Sequence, residues 1–110
     1  MNPKRIQRRR TKGWRMPANT INVTRPGKWG NPFVVVQHSD FFGVKDGDGN
    51  TIVEFATRAE AVIACVEMYK KWLPTAHWLF PSELMCKNLA CFCKIGEPCH
   101  ADYLLEVANR

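Results

Sequence analysis

The chain has 110 residues, enough for one domain with a core but not for two. Hydrophobic residues make up 45% and charged residues 24%, a globular composition that excludes wholesale disorder. No apolar run approaches the ~20 residues that cross a bilayer, and the basic start of the chain excludes a secretory signal. We therefore expect a soluble, cytoplasmic, single-domain protein with no membrane partner.

Positive charge is concentrated in the first third of the chain. Residues 1–39 contain nine Lys or Arg and no acid, whereas residues 40–110 contain seven basic and ten acidic residues. Such an uneven distribution of charge attracts an anionic partner, such as nucleic acid, a phosphorylated metabolite or an acidic surface. A solvated arm that only aids solubility is the alternative. We divide the chain into a basic N-terminal arm, residues 1–18, and a single α/β domain, residues 19–110.

The first predicted elements of that domain are strands. Alternating β-branched residues predict a strand over residues 20–24, and apolar runs predict strands over 33–37 and 51–55. Asp, Gly and Asn residues between the last two supply turn chemistry, so these two strands are expected to form a hairpin.

The clearest predicted helix begins after Thr57. Thr57 and Glu60 form a capping box, and Pro74 ends the helix. Its predicted buried stripe consists of apolar residues at steps of three and four: Ala59, Val62, Ile63, Val66, Tyr69 and Leu73.

The last third of the chain predicts a short helix, a buried strand and a closing helix. Ser82 caps a helix that runs to Met85, and residues 89–93 form an apolar strand that is covered on both faces. Pro98 opens the closing helix, whose buried stripe is Tyr103, Leu104, Val107 and Ala108. This strand–helix unit completes the sheet of a small α/β domain.

Four of the five cysteines lie within fourteen residues, beside His100. In a strand, Cys91 and Cys93 point to the same face, and Cys99 and His100 fall in the first turn of the closing helix. If the strand is parallel to its neighbours, this segment lies at the carboxyl edge of the sheet, where ligands bind. The helix N-terminus favours anions there, and it should lower the pKa of Cys99 and make it the most reactive thiol.

Three interpretations of these residues stay open. Cys91, Cys93, Cys99 and His100 form the ligand set of a structural zinc, although the spacing is unusual and neighbouring residues diverge by about 100° on a helix. Alternatively, Cys99 is a catalytic nucleophile with His100 as its base. Cys91 and Cys93 also suit buried small hydrophobes, the interpretation we favour for them, while Cys99 and His100 suit a ligand pocket. No cofactor is favoured, and zinc is the alternative.

A second candidate region is the glycine-rich loop over residues 25–33. Arg25 and Lys28 suit phosphate, Trp29 offers a face on which a base stacks, and Gly27 and Gly30 allow close approach of the backbone. A structural loop around a buried Trp would look the same. We expect this loop to meet the start of the closing helix and form one electropositive pocket. The predicted ligand-binding residues are Arg15, Asn19, Arg25, Lys28, Trp29, Asn31, Cys99, His100 and Asp102.

The basic arm suggests a different partner. Its cations are interleaved with Trp14, a pattern that suits contact with the backbone of RNA or DNA. The residues predicted for this alternative are Arg8, Arg9, Arg10, Lys12 and Arg15.

Several short motifs occur in a fixed order over nearly the whole chain: residues 13–19, Arg25-Pro26, residues 29–33, residues 87–93 and residues 98–102. These motifs and their order resemble those of an uncharacterised family, domain of unknown function 4326. In that family Trp is usual at the position where this chain has Phe92. The resemblance implies an origin in phages or bacteria, and hence the host cytoplasm if the protein is viral. The Cys99-His100 end is also similar to a second uncharacterised α/β family, which implies a Rossmann-like sheet with a pocket above the last strand.

These observations predict a protein that binds a phosphate-bearing nucleotide or a nucleotide-derived small molecule in a basic pocket. As a phage protein it would modify nucleotides or sequester a nucleotide signal of host defence. The alternatives are a nucleic-acid-binding protein that uses the arm and a zinc-stabilised interaction module. The sequence does not decide whether the protein is an enzyme, and a homodimer is plausible.

Overall fold

A computed structural model of the chain describes residues 3–25 and 27–110. The first two residues of the predicted arm, and Pro26 of the predicted glycine-rich loop, lie outside the described residues. The elements are β1 (Arg5–Gln7), β2 (Thr20–Asn22), β3 (Val34–Gln37), β4 (Phe42–Lys45), β5 (Thr51–Phe55), α1 (Arg58–Trp72), β6 (Asn88–Cys91) and α2 (His100–Ala108). The chain divides into unit 1, Met1–Gly30 with His77–Arg110, and unit 2, Asn31–Ala76.

Unit 1 contains a three-stranded parallel sheet in the order β1-β6-β2. In the central strand, Leu89 and Ala90 point to opposite faces and both are fully buried, which confirms a strand covered on both faces. The strand ends at Cys91, two residues earlier than predicted. Helix α2 contacts β6 and β1, and Leu104 and Ala108 on its inner side are buried, as predicted.

Strand β1 lies in the segment that the sequence predicts to be a basic arm. Its three residues pair in parallel with β6, with Arg5 opposite Leu89 and Gln7 opposite Cys91. A three-residue strand bordered by cations has no alternation long enough to detect. The start of the chain therefore contributes an edge strand to the sheet of unit 1.

Unit 2 contains an antiparallel sheet in the order β3-β4-β5, with α1 packed against it. We did not predict β4, which turns the expected hairpin into a three-stranded meander, because Gly43 in its centre weakens a strand pattern. The N-cap at Thr57 is confirmed: its hydroxyl accepts a hydrogen bond from the Glu60 amide at 3.2 Å, and the Glu60 carboxylate in turn accepts one from that hydroxyl at 2.8 Å. The helix ends before Pro74, which lies in the 3-10 turn Leu73–Thr75.

The predicted stripe of α1 is confirmed at Tyr69 and Leu73 and wrong at Ala59 and Ile63, which are exposed, while Val62 and Val66 are half-buried. The buried residues of the helix are Ala61, Cys65 and Tyr69, whereas the side chain of Ile63 is 52% exposed. Ala61 and Cys65 belong to the core cluster with Val44 of the sheet. The helix thus packs on its smaller side chains, which a search for large apolar residues does not select.

The structure confirms a small mixed α/β fold with two sheets and two α-helices. It does not confirm one Rossmann-like sheet, because β3, β4 and β5 form a sheet of their own. The helix predicted after Ser82 is a 3-10 helix, Pro81–Leu84. Over the described residues, no helix has the length and apolar character needed to span a bilayer.

Candidate metal site

Three cysteines converge at the carboxyl edge of the parallel sheet in unit 1. Cys91 is the last residue of β6, Cys93 lies in the bend that follows, and Cys99 precedes α2 as its N-cap. Their sulfur atoms all lie within 4.8 Å of one another. The Sγ atoms of Cys91 and Cys93 are 3.7 Å apart. Cys93 lies beyond the end of the strand, so the bend, and not the predicted strand alternation, brings these two sulfur atoms together.

These distances fit the corners of a tetrahedral thiolate site. Zinc–sulfur bonds of about 2.3 Å place two thiolates of a tetrahedron about 3.8 Å apart, close to the 3.7 Å between Cys91 and Cys93. Cys91 and Cys99 are 6% and 2% exposed, and Cys93 is half-buried. Closed, sulfur-rich surroundings of this kind are typical of structural zinc sites.

The geometric objection to joint ligation by Cys99 and His100 is wrong. Cys99 has φ −151° and ψ 143°, so it is extended and lies outside the helix, and the 100° divergence of helical neighbours does not apply. Its Sγ lies 3.8 Å from Nδ1 of His100. A tetrahedral metal bound by both atoms would require a separation of about 3.6 Å.

His100 also connects two segments that are far apart in the chain. Its side chain is 6% exposed, and Nε2 donates a hydrogen bond to the Val23 carbonyl at 2.8 Å. Burial lowers the pKa of His100, which favours the neutral ring that a metal ligand needs. Val23, which follows β2, therefore lies against the start of the closing helix. That residues 25–33 and this helix start form one ligand pocket stays a prediction.

The three thiols influence one another's pKa values. The pKa of Cys91 falls far below its ordinary value because its sulfur shares hydrogen bonds with the thiols of Cys93 and Cys99. Those same hydrogen bonds to Cys91 raise the pKa of Cys93 and of Cys99, which keep their protons. The expectation that the helix terminus makes Cys99 the most reactive thiol is therefore wrong, since Cys99 is buried and protonated.

Arg5 holds the loop that connects Cys93 to Cys99, a role that we did not predict. Its guanidinium donates to the carbonyls of Lys94 and Glu97 at 2.7 and 2.9 Å, and to the Asp102 carboxylate at 3.0 Å. The Arg5 side chain is 6% exposed. Only the pairing of β1 with β6 brings Arg5 to this loop, so no local sequence signal indicates it.

Several residues of the predicted nucleotide pocket make contacts within the protein. Trp29 is 4% exposed, so its ring belongs to the core of unit 1 and presents little surface on which a base could stack. Lys28 forms an ion pair with Glu83 at 3.0 Å. Asp102 accepts the hydrogen bond from Arg5.

Two other predicted residues lie away from the cysteine cluster or in the other unit. Asn19 precedes β2, at the amino edge of the parallel sheet, where its side chain donates to the Cys86 carbonyl. Asn31 belongs to unit 2, and its buried amide donates to the carbonyl of Cys65. Arg15 and Arg25 are exposed. Nucleotide binding by these residues stays a prediction.

The two remaining cysteines stand outside the cluster. Cys86 is exposed and precedes β6 at the amino edge, while Cys65 lies in the core of unit 2, where its thiol donates to the Phe33 carbonyl at 2.9 Å. The sequence groups Cys86 with the other three, and the parallel strand separates them. These two thiols are natural controls for the cluster.

Comparison with known proteins adds a family but no activity. No curated protein matches the chain, and no solved structure matches it either. One family model, described as a domain of unknown function, matches residues 6–110, a range that includes all three clustered cysteines and His100. The chain therefore belongs to the DUF4326 family.

Proposed function

We propose that the protein is a zinc-binding module in which the thiolates of Cys91, Cys93 and Cys99 hold the ion. The observation that carries the proposal is the convergence of three sulfur atoms within 4.8 Å. His100 is next to the cluster, with Nδ1 3.8 Å from Sγ of Cys99, but the group of donor atoms that all lie within 4.8 Å of one another contains only the three sulfurs, so the ring would have to shift to become the fourth ligand. Soft thiolate ligands favour zinc, copper(I) or iron–sulfur centres over magnesium and calcium.

The small size of unit 1 supports a stabilising role for such an ion. The unit has 64 residues and a parallel sheet whose strands have only three or four residues. Domains of this size bury little apolar surface and commonly need a metal or disulfides. A metal on the three sulfurs would fasten the end of β6 to the start of α2 and close the loop between them, so that binding contributes to folding.

The catalytic interpretation of Cys99 and His100 has less support. A thiol nucleophile must be ionised and reachable by a substrate. Cys99 is 2% exposed, its pKa is raised by the hydrogen bond to Cys91, and His100 is 6% exposed. A buried pair of this kind suits ligation better than attack on a substrate.

The proposal is tested by metal analysis of the full chain purified without chelators. We expect about one zinc per chain and a Kd below about 0.1 µM in competition with a chromogenic chelator. Replacement of zinc by cobalt should give the charge-transfer and d–d absorption bands of a tetrahedral thiolate site.

Matched cysteine variants locate the site. Cys93→Ser should lose most of the bound zinc, whereas Cys86→Ser, which removes an exposed thiol outside the cluster, should keep it. Zinc below about 0.2 per chain, with no uptake on addition of zinc, would exclude a tight structural site. Equal zinc in both variants would place the ion elsewhere.

A further inference from the structure

The positive charge of the chain belongs to unit 1. That unit contains twelve basic and four acidic residues, a net charge of +8, whereas unit 2 has a net charge of −2. Three of the four acids form ion pairs: Asp102 with Arg5, Glu83 with Lys28 and Glu106 with Arg110. These three acidic residues thus pair with cations other than those that directly follow β1.

Four exposed cations follow β1 within seven residues, and we call them the cationic segment: Arg9, Arg10, Lys12 and Arg15. Among the described residues, none of them is within ion-pair distance of a carboxylate. The segment contains a turn in which the Trp14 amide donates to the Thr11 carbonyl at 3.1 Å. Its charge is therefore available to a partner.

An aromatic ring anchors this segment at the thiol cluster. The guanidinium carbons of Arg8 and Arg10 lie 4.6 and 4.3 Å from the ring centre of Phe92, within cation–π distance. Arg8 is fixed further by hydrogen bonds from its guanidinium to Thr24 and from its amide to the Cys91 carbonyl, at 2.9 and 2.7 Å. Phe92 is half-buried, and in the sequence it stands between Cys91 and Cys93.

We propose that the cationic segment binds single-stranded nucleic acid and that the metal on the thiols holds it in the binding geometry. Exposed cations without carboxylate partners attract phosphates, and a guanidinium beside an aromatic ring is a platform on which an unpaired base stacks. A duplex hides its base faces, so single strands are the better ligand. The dependence on metal rests on the proposed function, because fixing Cys91 and Cys93 fixes Phe92 between them.

Binding of single strands is measured by the fluorescence anisotropy of labelled oligo(dT) and oligo(U) with the zinc-loaded full chain. Four phosphate contacts predict a slope of log affinity against log salt near −3, or about a fiftyfold loss between about 50 and 200 mM salt. The two probes distinguish DNA from RNA as the preferred strand. A duplex of the same length should bind about tenfold more weakly, since it lacks the base stack.

Charge variants locate the binding surface. Lys12→Ala with Arg15→Ala removes two cations of the segment and should halve the slope, to about a sevenfold loss over the same salt range. Arg58→Ala with Lys71→Ala removes the same charge from unit 2 and should leave the slope unchanged. Equal slopes in the two double variants, or no saturable binding by the wild type, would overturn the proposal.

Phe92→Leu and removal of the metal test the platform. Phe92→Leu should weaken single-strand binding about tenfold with the salt slope unchanged, and chelation of the zinc should have a similar effect. Equal affinity with and without zinc would overturn the dependence on metal. A protein that holds no zinc would refute the proposed function, whereas the charge variants would still decide on nucleic-acid binding.

Discussion

Arg5 offers the sharpest test of how unit 1 is held together. Its guanidinium donates three hydrogen bonds, two to carbonyls of the loop between Cys93 and Cys99 and one to Asp102. Arg5→Met keeps most of the apolar stem of the side chain and removes only the charged head. The variant therefore isolates the contribution of these three hydrogen bonds to stability.

The structure sets the expected cost of this substitution. Each carbonyl that bonds to a buried cation contributes about 1.5 kcal/mol at the lower end of the usual range, and the Arg5 side chain is 6% exposed. The Asp102 carboxylate is 56% exposed, so water screens it and the ion pair adds only about 0.5 kcal/mol. We expect Arg5→Met to lower the free energy of unfolding by about 3.5 kcal/mol.

Urea denaturation of the chelated protein, under reducing conditions, measures that free energy. Arg110→Met is the matched control, because its ion pair with Glu106 is 64% exposed on both sides and should be worth less than about 0.5 kcal/mol. Zinc affinity is the second measurement, and it should fall by about 10- to 100-fold when the loop loses its support. A loss of stability below 1 kcal/mol would refute the energetic estimate, and unchanged zinc affinity would show that Arg5 does not position the ligands.

Two further substitutions test features of the fold. Gly30→Ala should cost about 2 kcal/mol in urea denaturation, because the new Cβ would lie 2.8 Å from the Cα of Arg25 and backbone cannot yield cheaply. Gly47→Ala is its control, with the nearest atom at 3.8 Å, and should change stability by less than about 1 kcal/mol, so equal losses in the two variants would contradict the steric argument. Thr57→Ala should cost about 1 kcal/mol by removing the acceptor of the Glu60 amide, while Thr57→Ser should restore most of it, and failure of that rescue would show that the cap is not the cause.

Local patterns in the sequence predict the elements that are long or strongly patterned. The N-cap at Thr57, the end of α1 before Pro74 and the buried inner side of α2 all follow from rules that span a few residues. Strands β1 and β4 escape those rules because they have three and four residues and contain a cation or a glycine where a pattern would need an apolar residue. Their place in a sheet is decided by the partner strand.

The candidate site likewise has features that the local sequence predicts and features that depend on distant parts of the chain. The sequence indicates that Cys91 and Cys93 lie close together, and their sulfur atoms are 3.7 Å apart, but a bend after Cys91 and not a continued strand produces this proximity. Arg5 reaches the same loop from a position 89 to 92 residues earlier in the chain, through the pairing of β1 with β6. Trp29 is the opposite case, a residue that the sequence assigns to a ligand site and that the structure buries. An aromatic residue between glycines suits a ligand loop and a core loop equally, and only burial distinguishes them.

Packing alone does not account for the arrangement of the three clustered thiols. Buried cysteines that serve as small hydrophobes need only fill space, and nothing requires their sulfur atoms to meet. Here the three side chains leave a strand, a bend and an extended helix cap, and still place their sulfur atoms within 4.8 Å of one another. Ionised together, these sulfurs would repel one another, and a bound cation removes that repulsion. A packing role predicts that Cys93→Ala and Cys93→Ser are tolerated equally with and without zinc, whereas ligation predicts that both lose the stabilisation that zinc gives the wild type.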